Sequence, residues 1–196
     1  MTASRLPVHL ETARLRLRPL RPADADLVHR LWVERDPRHP PHRRVDAAGH
    51  PSRDEVRDRL TVQEEESLRT GIGLLAVERR DEAGAVGYCG LVVGSASVEE
   101  PEMAFELLRD VHGSGLATEA ARAVVEAARA TGRTRLWSTV RRWNAASLRV
   151  LEKAGFTESG RITADAEHGD IVWMVCDLRE PPAADAEPER VRPARD

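Results

Sequence analysis

One stretch of the sequence, residues 102–120, sharply limits the possible folds, because it changes from a strand pattern to a helix pattern within a few residues. From Glu102 to Leu107 polar and apolar side chains roughly alternate, which is typical of a strand with one buried face. Gly113 and Gly115 then indicate a tight turn, since glycine adopts backbone angles that other residues resist. Beyond the turn, apolar residues recur at the spacing of one helical face, at Leu116, Ala120, Val124 and Ala128.

A glycine turn that leads into a helix presents unpaired backbone N–H groups and the positive end of the helix dipole, and such a place binds phosphate. An ordinary connecting turn is the simpler alternative, and the turn alone does not decide between them. The loop of nucleotide triphosphatases does not fit, because it needs a lysine and Lys153 is the only lysine in the chain. A dinucleotide-binding turn fits poorly, because the next predicted strand, residues 135–140, carries no carboxylate.

A second stretch gives the first one a more specific meaning. Its spaced residues are Asn144, Ser147, Lys153, Gly155 and Phe156. Together the two stretches resemble the GNAT superfamily of acetyl-CoA-dependent N-acetyltransferases, whose coenzyme loop, [QR]-x-x-G-x-[GA], corresponds to residues 110–115. The resemblance covers roughly residues 10–178 and is closest to the branch that acetylates protein N-termini, such as those of ribosomal proteins. The sequence departs from the wider family at Asp110, where Gln or Arg is usual, and at Ala104, where Gly is usual.

The resemblance implies a mixed α/β fold with a central, mostly antiparallel sheet that is splayed where the coenzyme enters and flanked by helices. It also implies acetyl-CoA as co-substrate. The residues that it places at the coenzyme are Leu107, Leu108, Val111, His112, Gly113, Ser114, Gly115, Leu116, Ala117 and Asn144. Asn144 is in addition a strong candidate for a helix N-cap, and one residue can serve both purposes.

Acetyl transfer to an amine requires a base for the amine proton and favours an acid for the leaving sulfur. Glu102 and Glu106 lie four residues apart on the predicted strand, hence on one face, although both can simply face solvent. The resemblance favours Glu102 as the base. It likewise favours Ser147 as the acid, the alternative being a serine whose hydroxyl bonds locally within its helix.

The acceptor is not defined by these motifs. A protein N-terminal amine is the first hypothesis, with direct attack in a ternary complex. A small amine such as an antibiotic or a polyamine is the alternative within the same enzyme class. A non-catalytic domain that senses acyl-CoA is the alternative outside it. A monomer or a homodimer is expected.

Composition narrows the remaining classes. The net charge of −3 and the sequence pI near 6.2 argue against a nucleic-acid partner, whose footprint is basic. No apolar run approaches the roughly 20 residues that cross a bilayer, so no membrane partner is expected. Two cysteines, and histidines without ligand spacing, predict no metal site. These features, without a signal-peptide pattern, favour the cytoplasm.

The chain divides into three parts by pattern. Residues 1–9 read as a flexible lead-in, residues 10–178 as the acetyltransferase domain, and residues 179–196 as a disordered tail rich in proline, alanine and charge. Ser52 begins a capping-box pattern that predicts a helix to about Leu68. Residues 37–44 form a basic loop to which the sequence assigns no role.

Overall fold

The computed structural model describes residues 4–39 and 52–179. The described residues form one sheet in the order β1-β2-β3-β4-β5-β6-β8-β7. Its strands are β1 (Leu10–Glu11), β2 (Leu15–Pro19), β3 (Leu74–Arg79), β4 (Ala85–Val92), β5 (Glu102–Leu107), β6 (Arg135–Arg141), β7 (Thr157–Thr163) and β8 (Ile171–Asp177). The helices are α1 (Ala25–Val33), α2 (Arg53–Thr70), α3 (Leu116–Ala130) and α4 (Ala145–Lys153).

The sheet is divided between β5 and β6. All other neighbouring strands pair in antiparallel fashion, whereas β5 and β6 are parallel and pair only at Glu102 and Trp137. Beyond this point the Ser138 hydroxyl donates to the Met103 carbonyl oxygen at 3.0 Å, and no further β5–β6 pair follows among the described residues. We call the space between the two strands beyond the Glu102–Trp137 pair the opening. The strand pairing and the opening together confirm the predicted mostly antiparallel sheet that is splayed at one place.

The two faces of the sheet carry different helices. On one face α3 and α4 cover the larger core, to which β5 contributes Met103 and Leu107. On the other face α1 and α2 pack over a smaller cluster that includes Ala76 and, at its edge, Tyr88. Tyr88 pairs with Glu106 across β4 and β5, so both glutamates of β5 lie on the α1/α2 face.

Helix α2 begins where its sequence predicts. Ser52 is the N-cap and its hydroxyl accepts a hydrogen bond from the Glu55 N–H at 3.1 Å. This satisfies one of the backbone donors that a helix leaves unpaired at its start. The helix ends at Gly71, which adopts a left-handed conformation with φ of 74°.

Residues 4–9, the described part of the predicted flexible lead-in, make contacts with the rest of the fold. Leu6 is buried in the larger core and its N–H donates to the Gly71 carbonyl oxygen at 2.8 Å. The Ser4 N–H donates to the Thr131 carbonyl oxygen at 2.9 Å. The buried leucine and these two backbone hydrogen bonds connect the segment to the ends of α2 and α3. Most of the predicted basic loop, from residue 40 onward, and the tail from residue 180 lie outside the described residues.

Candidate active site

The loop between β5 and α3 directs unpaired N–H groups outward. Gly113 and Gly115 have φ of 76° and 81°, angles that favour glycine. Two carbonyl oxygens of the loop have partners, since the Ser114 hydroxyl donates to Val111 and the Arg14 guanidinium donates to Ser114. By contrast, the N–H groups of residues 113–115 have no acceptor among the described residues. They lie at the N-terminus of α3, where unpaired N–H groups suit an anion.

The side chains of the loop support its shape. The side chains of Leu107, Leu108 and Leu116 are buried, and the Leu107 carbonyl oxygen and the Leu108 N–H already have partners. Val111 and Ala117 are half-buried against the core. The His112 Nε2–H donates to the Leu107 carbonyl oxygen at 2.8 Å, so this imidazole is bonded back to the end of β5.

Glu119 fastens the loop and α3 to the start of β2, and the sequence did not indicate this role. Its carboxylate accepts hydrogen bonds from the Thr12 hydroxyl at 2.6 Å and from the Arg14 Nε–H at 2.6 Å. Burial disfavours ionisation of Glu119, but these hydrogen bonds outweigh burial and hold its pKa below the usual value. The same Arg14 side chain reaches the Ser114 carbonyl oxygen, and therefore holds the loop from outside.

Glu102 lies at the closed end of the opening and is 6% exposed. Its Oε2 accepts a hydrogen bond from the Thr139 hydroxyl of β6 at 2.8 Å. Its Oε1 accepts one from the Ser95 N–H at 2.5 Å. Each carboxylate oxygen has two acceptor positions, so each keeps one beyond these contacts. The carboxylate is thus fixed in direction and keeps one open acceptor position on each oxygen.

Glu106, on the same face, is in a different environment. Both of its oxygens are bound by the Arg35 guanidinium, at 2.8 Å from Nε and 2.5 Å from Nη2. The Tyr88 hydroxyl donates to Oε2 at 2.8 Å. Burial and the charge of Glu106 raise the pKa of Tyr88, which keeps this phenol a hydrogen-bond donor. Three of the four acceptor positions of Glu106 are thus taken, and its charge is paired with Arg35, whereas Glu102 keeps two positions and has no ion pair among the described residues.

Helix α4 brings the predicted serine and asparagine to the other face of the sheet. Asn144 is its N-cap, and the Asn144 side-chain oxygen accepts a hydrogen bond from the Ser147 N–H at 3.1 Å. The Ser147 hydroxyl is half-buried and makes no hydrogen bond within the part of the chain that the structure describes. The local bond that would explain this serine structurally is therefore missing there. Leu151 of the same helix is fully buried on the α3 side.

The segment after α1, residues 35–39, crosses from one part of the divided sheet to the other. At one end Arg35 binds Glu106 of β5. At the other end, Arg38 stacks on Trp143, 4.1 Å from the centre of its ring, and His39 meets the same ring edge-on at 5.1 Å. Trp143 directly precedes Asn144. This segment therefore spans the opening on the α1/α2 face. No local pattern in the sequence indicates this role.

No group of three or more histidine, cysteine or acidic side chains is placed to hold a metal ion in residues 4–39 and 52–179. Within the same ranges, no helix is both long enough and apolar enough to span a bilayer.

A divided α/β sheet with a donor-lined glycine loop at the opening has the architecture of an acyltransferase. The sequence profile of the acetyltransferase (GNAT) domain matches residues 14–157, which is most of the chain. The chain therefore belongs to the GNAT acetyltransferase family. This confirms the family, the fold class and the enzyme class predicted from the two motifs.

Solved structures with this fold include several acetyltransferases. A putative GNAT-family acetyltransferase from Bordetella pertussis is 24% identical, with a TM-score of 0.70 over 86% of this chain and 98% of its own. A ribosomal-protein-S5-alanine acetyltransferase from Vibrio fischeri is 17% identical, with a TM-score of 0.68 over 93% and 100%. YncA, a putative acetyltransferase from Salmonella typhimurium solved with its cofactor acetyl-CoA, is 20% identical, with a TM-score of 0.65 over 88% and 98%. A search of curated protein sequences finds no significant match.

Proposed function

We propose that this protein transfers the acetyl group of acetyl-CoA to a primary amine, and that the amine is a protein N-terminus. The observation that carries the proposal is the division of the sheet at Glu102. On the α1/α2 face the opening begins at this carboxylate, and on the other face it is flanked by α4 and by the glycine loop. Donor and acceptor can therefore approach from opposite faces and meet in the opening, as direct attack in a ternary complex requires.

The site fits an acyl coenzyme. The unpaired N–H groups of residues 113–115 suit its pyrophosphate. The carbonyl oxygens of Met103 and Leu107 have partners in Ser138 and His112, so the backbone groups of Phe105, between them on the β6 side of β5, are the ones that suit the amides of a pantetheine arm. Asn144 stands at the start of α4, on the β6 side of the opening. The coenzyme supplies an acetyl thioester, and the residues of this chain supply its orientation and the proton transfers.

In the proposed reaction the amine nitrogen bonds to the acetyl carbon, the carbon–sulfur bond breaks, and two protons move. Glu102, directly or through a water molecule, takes the proton that the amine loses. Ser147 donates its hydroxyl proton to the leaving sulfur and recovers one from solvent. Glu102 is favoured over Glu106 as the base, because the latter is bound by Arg35 and Tyr88. The unbonded hydroxyl of Ser147 supports the role of acid.

The choice of a protein N-terminus rests on two supports. The motif around Glu102 and the glycine loop resembles that of the N-terminal branch. The fold is shared with an enzyme named for acetylating the alanine of ribosomal protein S5. A small amine is the alternative acceptor. The test is release of coenzyme A thiol over a panel of alanine- and serine-initiated peptides, polyamines and aminoglycosides. Turnover of peptides above all other amines supports the proposal, and preference for a small amine contradicts it.

We expect Glu102→Gln to lower kcat by roughly 10²–10⁴ with little change in acetyl-CoA affinity, because glutamine keeps the shape and cannot take the proton. Glu106→Gln is the matched control, and its loss of kcat should stay under about tenfold. Ser147→Ala should cost less than Glu102→Gln, since a thiolate leaves tolerably well without a proton. Steady-state kinetics and calorimetry measure these effects. A silent Glu102→Gln with an inactive Glu106→Gln would reverse the assignment.

A further inference from the structure

We propose that Thr139 is a positioning residue that acts through Glu102. This inference rests on the proposed function, because it concerns how the proposed base is aimed. Thr139 lies on β6, across the opening from the strand that carries the glutamate, and its hydroxyl donates to Glu102 Oε2 at 2.8 Å. It is thus a side-chain contact between the two parts of the sheet just beyond their last backbone pair, Glu102–Trp137.

The carboxylate is held from a second side by backbone. The Ser95 N–H donates to Oε1 at 2.5 Å, and the connection from β4 passes so close that a side chain at residue 94 would displace the carboxylate. A Cβ atom placed there would lie 2.6 Å from Oε1. The two donors contact different oxygens, so together they fix both the position and the plane of the carboxyl group. The two hydrogen bonds therefore also fix the direction of the acceptor position that is left on each oxygen.

Thr139 has no evident structural task. Its side chain is exposed, whereas its neighbours Ser138 and Val140 are buried on the opposite face. Its hydroxyl makes one hydrogen bond within the described residues, and that bond goes to Glu102. A β-branched residue suits a strand, but valine would serve that purpose equally well. The hydroxyl is therefore explained by the carboxylate that it contacts.

Several other charged groups on this face are ion-paired with one another. Among the described residues they include Glu106 with Arg35, Arg141 with Asp165, Glu100 with Arg135, and Asp36 with Arg38. His39 lies close enough to Arg35, Glu106 and Arg141 for their charges to interact with its imidazole. None of these groups contacts the Glu102 carboxylate in the described structure, so Thr139 and Ser95 are the contacts that orient it.

The test is a double-mutant cycle on kcat, measured by thiol release with acetyl-CoA and a peptide that begins with alanine. Thr139→Val should lower kcat by about ten- to a hundredfold through misplacement of the base, with the acetyl-CoA dissociation constant and the Tm unchanged. Thr139→Ser, which keeps the donor, should restore most of the rate. Thr157→Val, an exposed strand threonine away from the site, is the matched control and should behave as wild type. In a Glu102→Gln background, Thr139→Val should cause no additional loss.

The outcomes separate this inference from the proposed function. If Glu102→Gln is inactive while Thr139→Val keeps the wild-type kcat, the positioning role is wrong and the base assignment stands. If the losses of Thr139→Val and Glu102→Gln multiply in the double variant, Thr139 acts independently of the base and the inference is overturned. If Glu102→Gln keeps full activity, or if no amine releases thiol, the proposed function fails and the inference falls with it.

Discussion

Gly113 and Gly132 share a backbone conformation but lie at different places in the fold. Their φ angles are 76° and 81°, and a Cβ atom added at either would meet no atom within 4 Å. Gly113 lies in the donor-lined loop, whereas Gly132 follows the end of α3. Substitution at the two sites should therefore cause similar backbone strain, and only one of them should disturb a ligand.

We expect Gly113→Val to weaken coenzyme A binding at least tenfold, about 1.4 kcal/mol, because its side chain would occupy the space where backbone approaches phosphate. Gly132→Val should lower the Tm to a similar extent and leave the affinity as in wild type. Calorimetric titration of both variants with coenzyme A checks this. Equal affinities in the two variants would show that residues 111–117 do not bind the pyrophosphate.

The roles of the two β5 glutamates show what sequence spacing leaves open at the residue scale. Their spacing predicted a common face, and the structure confirms that face. The groups that distinguish them come from distant parts of the chain. Thr139 contacts Glu102, while Arg35 contacts Glu106. Such contacts depend on the tertiary arrangement, so no local pattern could show which carboxylate is free to act as a base.

At the scale of elements, the connection between β7 and β8 supports the start of α4. Asp165 accepts hydrogen bonds from the backbone N–H groups of residues 167 and 168 and from the Arg141 guanidinium of β6. The His168 carbonyl oxygen in turn accepts from the Trp143 Nε1–H at 2.9 Å. The residue before Asn144 is thus held through this connection.

Asp165→Asn should lower the Tm by about 1–3 °C near neutral pH, because it removes the charge that pairs with Arg141. Hydrogen bonds from the His168 backbone, followed by Arg141, lower the Asp165 pKa from 3.8 to about 2. A depressed carboxyl pKa stabilises the fold above the unfolded value, and this stabilisation is lost as pH falls through the folded value. The Tm difference from wild type should therefore be constant above about pH 4 and shrink toward pH 2.

Asp170→Asn is the control for that series, since Asp170 forms no ion pair among the described residues and its contact to the Asp165 N–H survives the change. Thermal unfolding followed by circular dichroism at several pH values measures both variants. A Tm difference for Asp165→Asn that does not depend on pH would show that the charge contributes nothing there.

The elements themselves were predictable because their signals are local. The alternation over 102–107, the helical spacing from Leu116 and the Ser52 cap each lie within a few residues, and each element forms where predicted. The splayed sheet was expected from the family resemblance and not from periodicity. Whether β5 and β6 pair for one residue or for five depends on packing between elements that are far apart in sequence.

At the scale of the whole molecule, the sheet consists of two parts that are joined at one backbone pair. Strands β1 to β5 carry the α1/α2 layer, while β6 to β8 connect directly to α4. Helix α3 and α4 cover the joint on one face, and residues 35–39 bridge it on the other. Within the described structure, the opening is therefore the place where the two faces of the sheet are connected. A transferase that binds two substrates from opposite sides needs such a passage.

The tail bears on where the folded unit ends. Leu178 is 3% exposed, its N–H donates to the Thr134 carbonyl oxygen at 2.9 Å, and its carbonyl oxygen accepts from the Arg129 guanidinium. Residues 180–196 lie beyond the described part of the chain, and their composition predicts that they bury no core. The predicted boundary at residue 178 can therefore be tested by two truncations that differ by two residues.

Truncation after Arg179 should leave both the Tm and kcat at their wild-type values, because it removes none of these contacts. Truncation after Asp177 should lower the Tm by roughly 4–8 °C, since burial of one leucine side chain stabilises a fold by about 2 kcal/mol. Thermal unfolding and thiol-release kinetics on the two truncated proteins make the comparison. Loss of stability or turnover on truncation after Arg179 would mean that the tail docks on the domain, and the domain would then extend beyond residue 178.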